Sequence, residues 1–458
     1  MKKAIGLLWA GLLACGCQHV KTDPSPEFAE VQENVDARSG RKISWNRNFD
    51  DKILRHHLQK ILSKPLAEED VIYITLMNNP RLQAVYEGLG IAKAELVQAS
   101  LLKNPIFSFS YRFAFGTGNQ NIIDMSFLQN LLDILFIPLK KKIAGKELDS
   151  AKAMAAGKVL ETIAEAKAAL YHLQALEEVL SLKKNILLAR EAAYEMSHRL
   201  FRAGNIRKLD LLNFKAPYQQ MKIDVANLET EVLDARENLH VLMGLWGRQI
   251  YWELQGLLPN IPKEKPDLSQ LTRMAVANSY ALQMARNELD IIKAKYGIKT
   301  AQFVIPAMEA GASAEREEGF WSLGPAFALG IPIFDAGKAS SAKGQAELHQ
   351  KWNEYTDLAI KIRSAARRSE YHLCNAYRKG RFYQKVLLPL AEEQLQQNFL
   401  QYNAMQVGVF QLLEAKQREL EEKIRAVFLE REYWTAKARL DLLKNGGRPV
   451  LPPQTDMP

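Results

Sequence analysis

"IFSFSYRFAF", residues 106–115, puts Phe107, Phe109, Tyr111, Phe113 and Phe115 on alternate positions, with Ser108, Ser110, Arg112 and Ala114 between them. Side chains alternate between the two faces of a strand, so this segment carries one wholly aromatic face and one mostly polar face. A half-buried strand of a soluble sheet shows the same alternation. What the aromatic face touches is therefore decided by the rest of the chain.

The pattern returns at Trp321, Leu323, Phe327, Leu329 and Ile331, which alternate with Ser322, Gly324, Ala326, Ala328 and Gly330. It belongs to a longer duplication. "NNPRLQAVYEGLGIAKAEL" from Asn78 recurs loosely as "NSYALQMARNELDIIKAKY" from Asn278, with Asn78/Asn278, Leu82/Leu282, Gln83/Gln283 and Ala94/Ala294 offset by 200. "FRAGNIRKLDLLNFK" from Phe201 recurs as "YNAMQVGVFQLLEAK" from Tyr402, offset by 201, the offset that also separates Pro105 from Pro306. Two copies of one unit are thus expected, at 66–256 and 268–446, joined by a proline-rich linker at 257–267.

Each copy reads as an amphipathic helix (about 68–103 and 268–302), a strand pair (about 106–131 and 306–333), a long helix broken near Phe201 or Tyr402, and a returning helix. Pro138 to Phe201 is 63 residues and Pro332 to Tyr402 is 70, a difference of one heptad, which keeps the facing of a coiled-coil seam. About sixty helical residues span roughly 90 Å, too long for the inside of a compact domain. Alanines at 151, 153, 155, 156, 164, 166, 168 and 169 allow close helix approach.

The chain has 458 residues, 47 % hydrophobic and 25 % charged, ample for a large core. A net charge of +9 raises the question of nucleic acid, but acids and bases interleave as in "EEKIRAVFLEREY", the pattern of solvated helix faces, so no nucleic-acid partner is expected. The start, "MKKAIGLLWAGLLACGCQHV", has two lysines, an apolar run and small residues before cysteine: a secretory signal peptide, taken as 1–14. Leu12-Leu13-Ala14-Cys15 resembles a lipobox, with lipidation expected at Cys15 and Cys17 as the alternative. Cys374 is the one remaining cysteine, so the fold rests on packing rather than disulfides. Residues 15–65 show weak periodicity and are expected to lie along the outside of the assembly. The tail 447–458, rich in proline, reads as disordered.

After the N-terminus there is no run of eighteen apolar residues, which removes transmembrane helices but not transmembrane strands. Four strands leave two unpaired edges, which a bilayer does not tolerate. Closure takes at least about eight strands, so several chains must contribute, with Phe107, Phe109, Tyr111, Phe113, Phe115, Trp321 and Leu323 outward to lipid and the small residues toward a lumen.

In order and spacing, "TLMNNPRLQ", "LGIPIFDAGK" and the paired "FRAGNIRKLDLL" and "YNAMQVGVFQLLEAKQ" resemble the TolC family of outer membrane efflux proteins, from about 66 to 446. The resemblance implies a mainly α fold with a small membrane β part: a homotrimer whose twelve-stranded outer membrane β-barrel continues as a periplasmic α-helical barrel. It implies a lipid-anchored exit duct in the outer membrane of a Gram-negative bacterium. The partners implied are a periplasmic adaptor (membrane fusion) protein and an inner-membrane transporter, of RND type for a lipidated member, exporting small toxic compounds or metal ions. Type I protein secretion and a non-conducting coiled-coil lipoprotein are the alternatives.

The same resemblance places the Phe201 and Tyr402 motifs at the periplasmic tip. Family gate positions fall on Tyr402, Asp210, Glu414 and Gln411. Three positions depart: Gln411 stands for an aspartate, Val407 for an arginine and Met405 for a glycine, whereas Gly204 is kept. Gly204, Asn205, Ile206 and Arg207, with Met405, Gln406, Val407 and Gly408, form the expected adaptor-docking tip. No phosphate-binding glycine loop, HExxH or compact histidine spacing is present, so neither enzyme activity, metal nor cofactor is expected.

Overall fold

The computed structural model describes residues 21–46, 52–113, 121–130, 132–304, 308–317, 320–329 and 337–449. Cys15, Cys17, Phe115, the "GIPIFDA" stretch and the tail from 450 lie outside the described residues. Helices run as α1 (Ser25–Ser39), α2 (Lys52–Leu62), α3 (Glu68–Asn78) and α4 (Pro80–Ser100), followed by strands β1 (Ile106–Arg112) and β2 (Ile122–Asn130). Then come α5 (Leu132–Arg202), α6 (Lys208–Met243), α7 (Leu271–Asn278), α8 (Tyr280–Val304), β3 (Met308–Glu317), β4 (Phe320–Leu329), α9 (Lys338–Phe382), α10 (Leu388–Asn403) and α11 (Val409–Lys444). Among the described residues no helix is long and apolar enough to cross a membrane.

The chain forms two compact units, one of residues 1–31, 86–155 and 282–358, the other of 32–85, 156–281 and 359–458, so each unit draws on both sequence copies. In the first, the four strands make one antiparallel sheet in the order β1-β2-β3-β4. The central pairing, β2 with β3, joins the hairpin of one copy to that of the other. Ile143, Ile291 and Ala294 form a small core beside it in sequence, closed over by Leu139 and Ile298.

In the second unit the main core gathers Leu170, Leu173, Leu176 and Val179 of α5 with Leu228, Leu239 and Met243 of α6, Val71 and Ile74 of α3, and Val427 and Ala438 of α11. Leu58 and Leu62 of α2 enter the same core, and Leu66 pairs with Leu254 in a parallel bridge. The N-terminal segment is thus more ordered than its weak periodicity suggests. Phe28 of α1 meets Tyr86 edge-on at 5.1 Å, Lys93 pairs with Glu27 at 2.6 Å, and Val31 and Val35 are buried.

Each expected first helix is in fact two. Pro80 has no N–H to continue α3 and instead starts α4, where the Asn79 side-chain oxygen accepts from the Arg81 and Leu82 amides at 2.8 and 3.3 Å. The second copy breaks at the equivalent Ser279, without a proline. The repeated asparagines explain why. Asn78 donates to the carbonyls of Met243 and Gly244 at 2.9 and 2.8 Å, and Asn278 donates to that of Lys444 at 2.9 Å. Both satisfy carbonyls that the end of the returning helix leaves without intrahelical partners. Gly244, at φ +66, allows the close approach, since a Cβ there would strike the Asn78 carbonyl. In the second copy Arg38 joins in, donating to Asn278 O at 2.7 Å and Asn445 O at 3.1 Å.

Two further departures concern prolines. The first long helix starts at Leu132, so Pro138 lies inside it rather than ahead of it. Between α9 and α10 the helix widens into a π turn at Tyr383–Leu387, where the Leu388 amide reaches Tyr383 O. Pro389 follows directly and lacks the amide that an unbroken α-helix needs there.

Candidate functional site

The strand register sorts the sheet into two chemically distinct faces. One carries Phe107 beside Phe127, Ala312 and Pro325, then Phe109 beside Met125, Ala314 and Leu323, then Tyr111 beside Ile123, Arg316 and Trp321. The other carries Ser108, Ser126, Ser313 and Gly324 in one row and Ser110, Asp124, Glu315 and Ser322 in the next. Phe107 and Leu323 are 63 % and 80 % exposed, so the apolar face has no cover among the described residues. Exposed apolar patches on this scale mark contact with another chain or with lipid.

On the polar face Ser108 and Ser126 share a hydrogen bond of 2.5 Å and Arg112 pairs with Asp124. The outer edges of β1 and β4 have no strand neighbour within the sheet. Phe113 lies just past β1, its ring 4.7 Å from that of Tyr111.

The two tip motifs in the second unit fold as one local structure built twice. At the end of α5, Gly204 takes φ +77, its amide bonds Phe201 O at 3.0 Å and the Asn205 amide bonds Leu200 O at 2.9 Å. At the end of α10, Met405 takes φ +59, its amide bonds Tyr402 O at 3.0 Å and the Gln406 amide bonds Gln401 O at 2.9 Å. Both are left-handed helix stops in which two late amides satisfy two orphan carbonyls. Only the first places glycine where the backbone calls for it.

The entries to the following helices differ as well. Asp210, in the first turn of α6, accepts from the Arg207 amide at 3.2 Å and from its guanidinium at 3.1 and 3.2 Å. These hydrogen bonds hold the Asp210 carboxyl below its ordinary range. The equivalent residue of α11 is Gln411, whose amide bonds Gly408 O at 3.1 Å and whose helix start has no side-chain cap. The second tip turn therefore lacks both the glycine and the capping carboxylate of the first.

Of the gate residues expected from sequence, Tyr402 is half-exposed and is not joined to Asp210, whose carboxylate Arg207 occupies. Glu414 pairs with Arg418 one turn along α11 at 2.6 Å.

Contacts that the sequence did not reveal bind α11 to α5 and α6. Phe214 and Phe410 stack at 4.3 Å, and Arg190 donates to Pro217 O at 2.8 Å and Gln417 Oε1 at 3.3 Å. Phe214 and Phe410 sit at non-equivalent places in the two copies, so aligning the repeats does not pair them. Glu419 is 2 % exposed. Burial pushes its carboxyl up, but hydrogen bonds from Lys423 and Lys416 outweigh this and hold it low. Among the described residues no group of three or more His, Cys, Asp or Glu could hold a metal ion.

The fold of the chain is similar to those of solved outer membrane channels. The chain superposes on CusC with a TM-score of 0.67 at 15 % identity, covering 83 % of this chain and 92 % of that one. VceC of Vibrio cholerae gives 0.67 at 14 %, covering 83 % and 96 %. The open state of the MtrE outer membrane channel of Neisseria gonorrhoeae gives 0.64 at 19 %, covering 83 % and 89 %. Residues 139–245 match the family model described as outer membrane efflux protein. No curated protein sequence matches this chain.

Proposed function

We propose that three copies of this chain close a twelve-stranded barrel in the outer membrane, forming the passive exit duct of a tripartite efflux system. The observation that carries this reading is the sheet: four strands, two open edges and an uncovered apolar face, which one chain cannot complete. Each repeat, 66–256 and 268–446, supplies one hairpin and one pair of long helices. Phe107, Phe109, Tyr111, Phe113, Phe115, Trp321 and Leu323 face lipid, Ser and Gly face the lumen, and a lipid on Cys15, or on Cys17, adds a second hold on the membrane. The turns at Gly204–Arg207 and Met405–Gly408 receive the periplasmic adaptor, which connects the duct to an RND-type pump exporting small toxic compounds or metal ions.

Closure at the tip involves Tyr402, Asp210, Glu414 and Gln411 in contacts between chains, and adaptor docking biases the closed state open. Single-channel conductance in a planar bilayer tests this. The wild type should show a small, mostly closed conductance that rises in Tyr402→Phe, a variant that leaves the Arg207–Asp210 cap intact. An unchanged conductance removes Tyr402 from the gate, and no conductance from a correctly assembled oligomer refutes the duct.

A further inference from the structure

We propose that a groove of about 1150 Å³ between α5, α9 and α11 binds an anionic amphiphile, one molecule per chain. Its floor is apolar, with Ala164, Ala168, Phe428 and Leu443, and three guanidiniums stand around it, those of Arg368, Arg431 and Arg439.

The charges at the groove do not cancel. Its acids are already satisfied by cations that do not line it: Glu161 by Lys158 at 2.7 Å, Glu165 by Arg81 at 3.7 Å and Glu432 by Lys379 at 3.2 Å. Arg425 is taken by Glu422 at 2.9 Å. Among the described residues neither Arg368 nor Arg439 has a carboxylate partner. Arg431 lies over the Phe428 ring at 5.1 Å and donates to His172 Nδ1 at 3.2 Å, which makes that imidazole the acceptor and hence neutral.

Burial disfavours the charge on Arg431, and burial and Arg431 together push His172 down, so the histidine offers no compensation. Positive charge along an apolar floor suits an amphiphile with an anionic head, phosphate, sulfate or carboxylate, on an alkyl or ring body. Guanidinium forks match such oxyanions in shape and charge.

The inference rests on the duct reading only in treating this ligand as cargo, so binding and conduction are measured separately. The purified oligomer in zwitterionic-lipid nanodiscs is titrated with decyl phosphate, with decyltrimethylammonium and inorganic phosphate as comparators and empty discs as blank. Saturable binding of decyl phosphate is expected, weakened about tenfold by Arg368→Gln with Arg439→Gln, because charged hydrogen bonds are lost. Arg363→Gln with Arg378→Gln, an equal charge change off the groove, should leave the affinity unchanged. The His172 titration midpoint, followed by NMR and assigned with His172→Gln, should rise on binding as the anion offsets Arg431.

Equal affinity for both decyl head groups, or an affinity indifferent to the Arg368/Arg439 change, overturns the groove assignment. Conductance recorded on the same preparations keeps the two ideas apart: a conducting oligomer without anion discrimination refutes the groove alone, and a binding oligomer without conductance refutes the duct alone.

Discussion

Met405 holds a left-handed backbone at φ +59 and is 95 % exposed, so its side chain gives up backbone comfort with no packing in return. The strain of a non-glycine residue in this region is roughly 1–2 kcal/mol. Glycine would remove it but lose about 0.5–1 kcal/mol through the greater freedom of the open turn. Met405→Gly should therefore stabilise the α10–α11 turn by a net of about 0.5–1 kcal/mol, a roughly two- to fivefold slowing of local opening.

The assay is hydrogen exchange at the Gln406 amide, whose 2.9 Å bond to Gln401 O closes the motif. Gly204→Ala is the mirror test. Nothing lies within 4 Å of a Cβ there, so the whole penalty is conformational, and exchange at Asn205 should quicken. If Met405→Gly leaves Gln406 exchange unchanged or speeds it, the argument that backbone strain weakens the second tip turn is wrong.

Three further outcomes are expected. Burial pushes the Glu430 carboxyl up to about 6, a hydrogen bond from Gln384 opposes this and nearby Glu178 adds to it. The folded state then holds the proton more tightly than the unfolded one, so stability should fall as pH rises from about 4.5 to about 6 and then level off. Glu430→Gln should flatten that slope and stabilise the protein at pH 7.5 by about 1–2 kcal/mol, read as a slower thermal unfolding rate. Asn78→Ala, which frees the carbonyls of Met243 and Gly244, should cost about 1–3 kcal/mol, more than Asn278→Ala, which frees that of Lys444 alone; melting of the two variants compares them. Leu323→Arg should cost about 2–4 kcal/mol of membrane stability and block oligomer assembly on gels, whereas Ser313→Arg, on the polar face, should assemble.

The periodicities were enough to place the strands and to reveal the duplication. Alternation at Phe107–Phe113 and Trp321–Phe327 marked the strands and their apolar face, because a period of two is a local property of the backbone. The offset of 200 between Asn78 and Asn278 exposed the duplication, and the tip motifs marked where α5 and α10 stop.

What stayed hidden depends on meetings between distant residues. That β2 pairs with β3, so that one sheet spans both copies, follows from no local pattern. Nor does the reason for the repeated asparagines, which lies some 165 residues away at the ends of α6 and α11. The partner of Asp210 was legible in principle, three residues upstream, yet only the folded turn gives it to Arg207 rather than leaving it free for Tyr402. Period and propensity belong to the chain itself. Which donor reaches which acceptor is decided by tertiary packing, because a carboxylate or carbonyl bonds whatever donor the fold brings within about 3 Å.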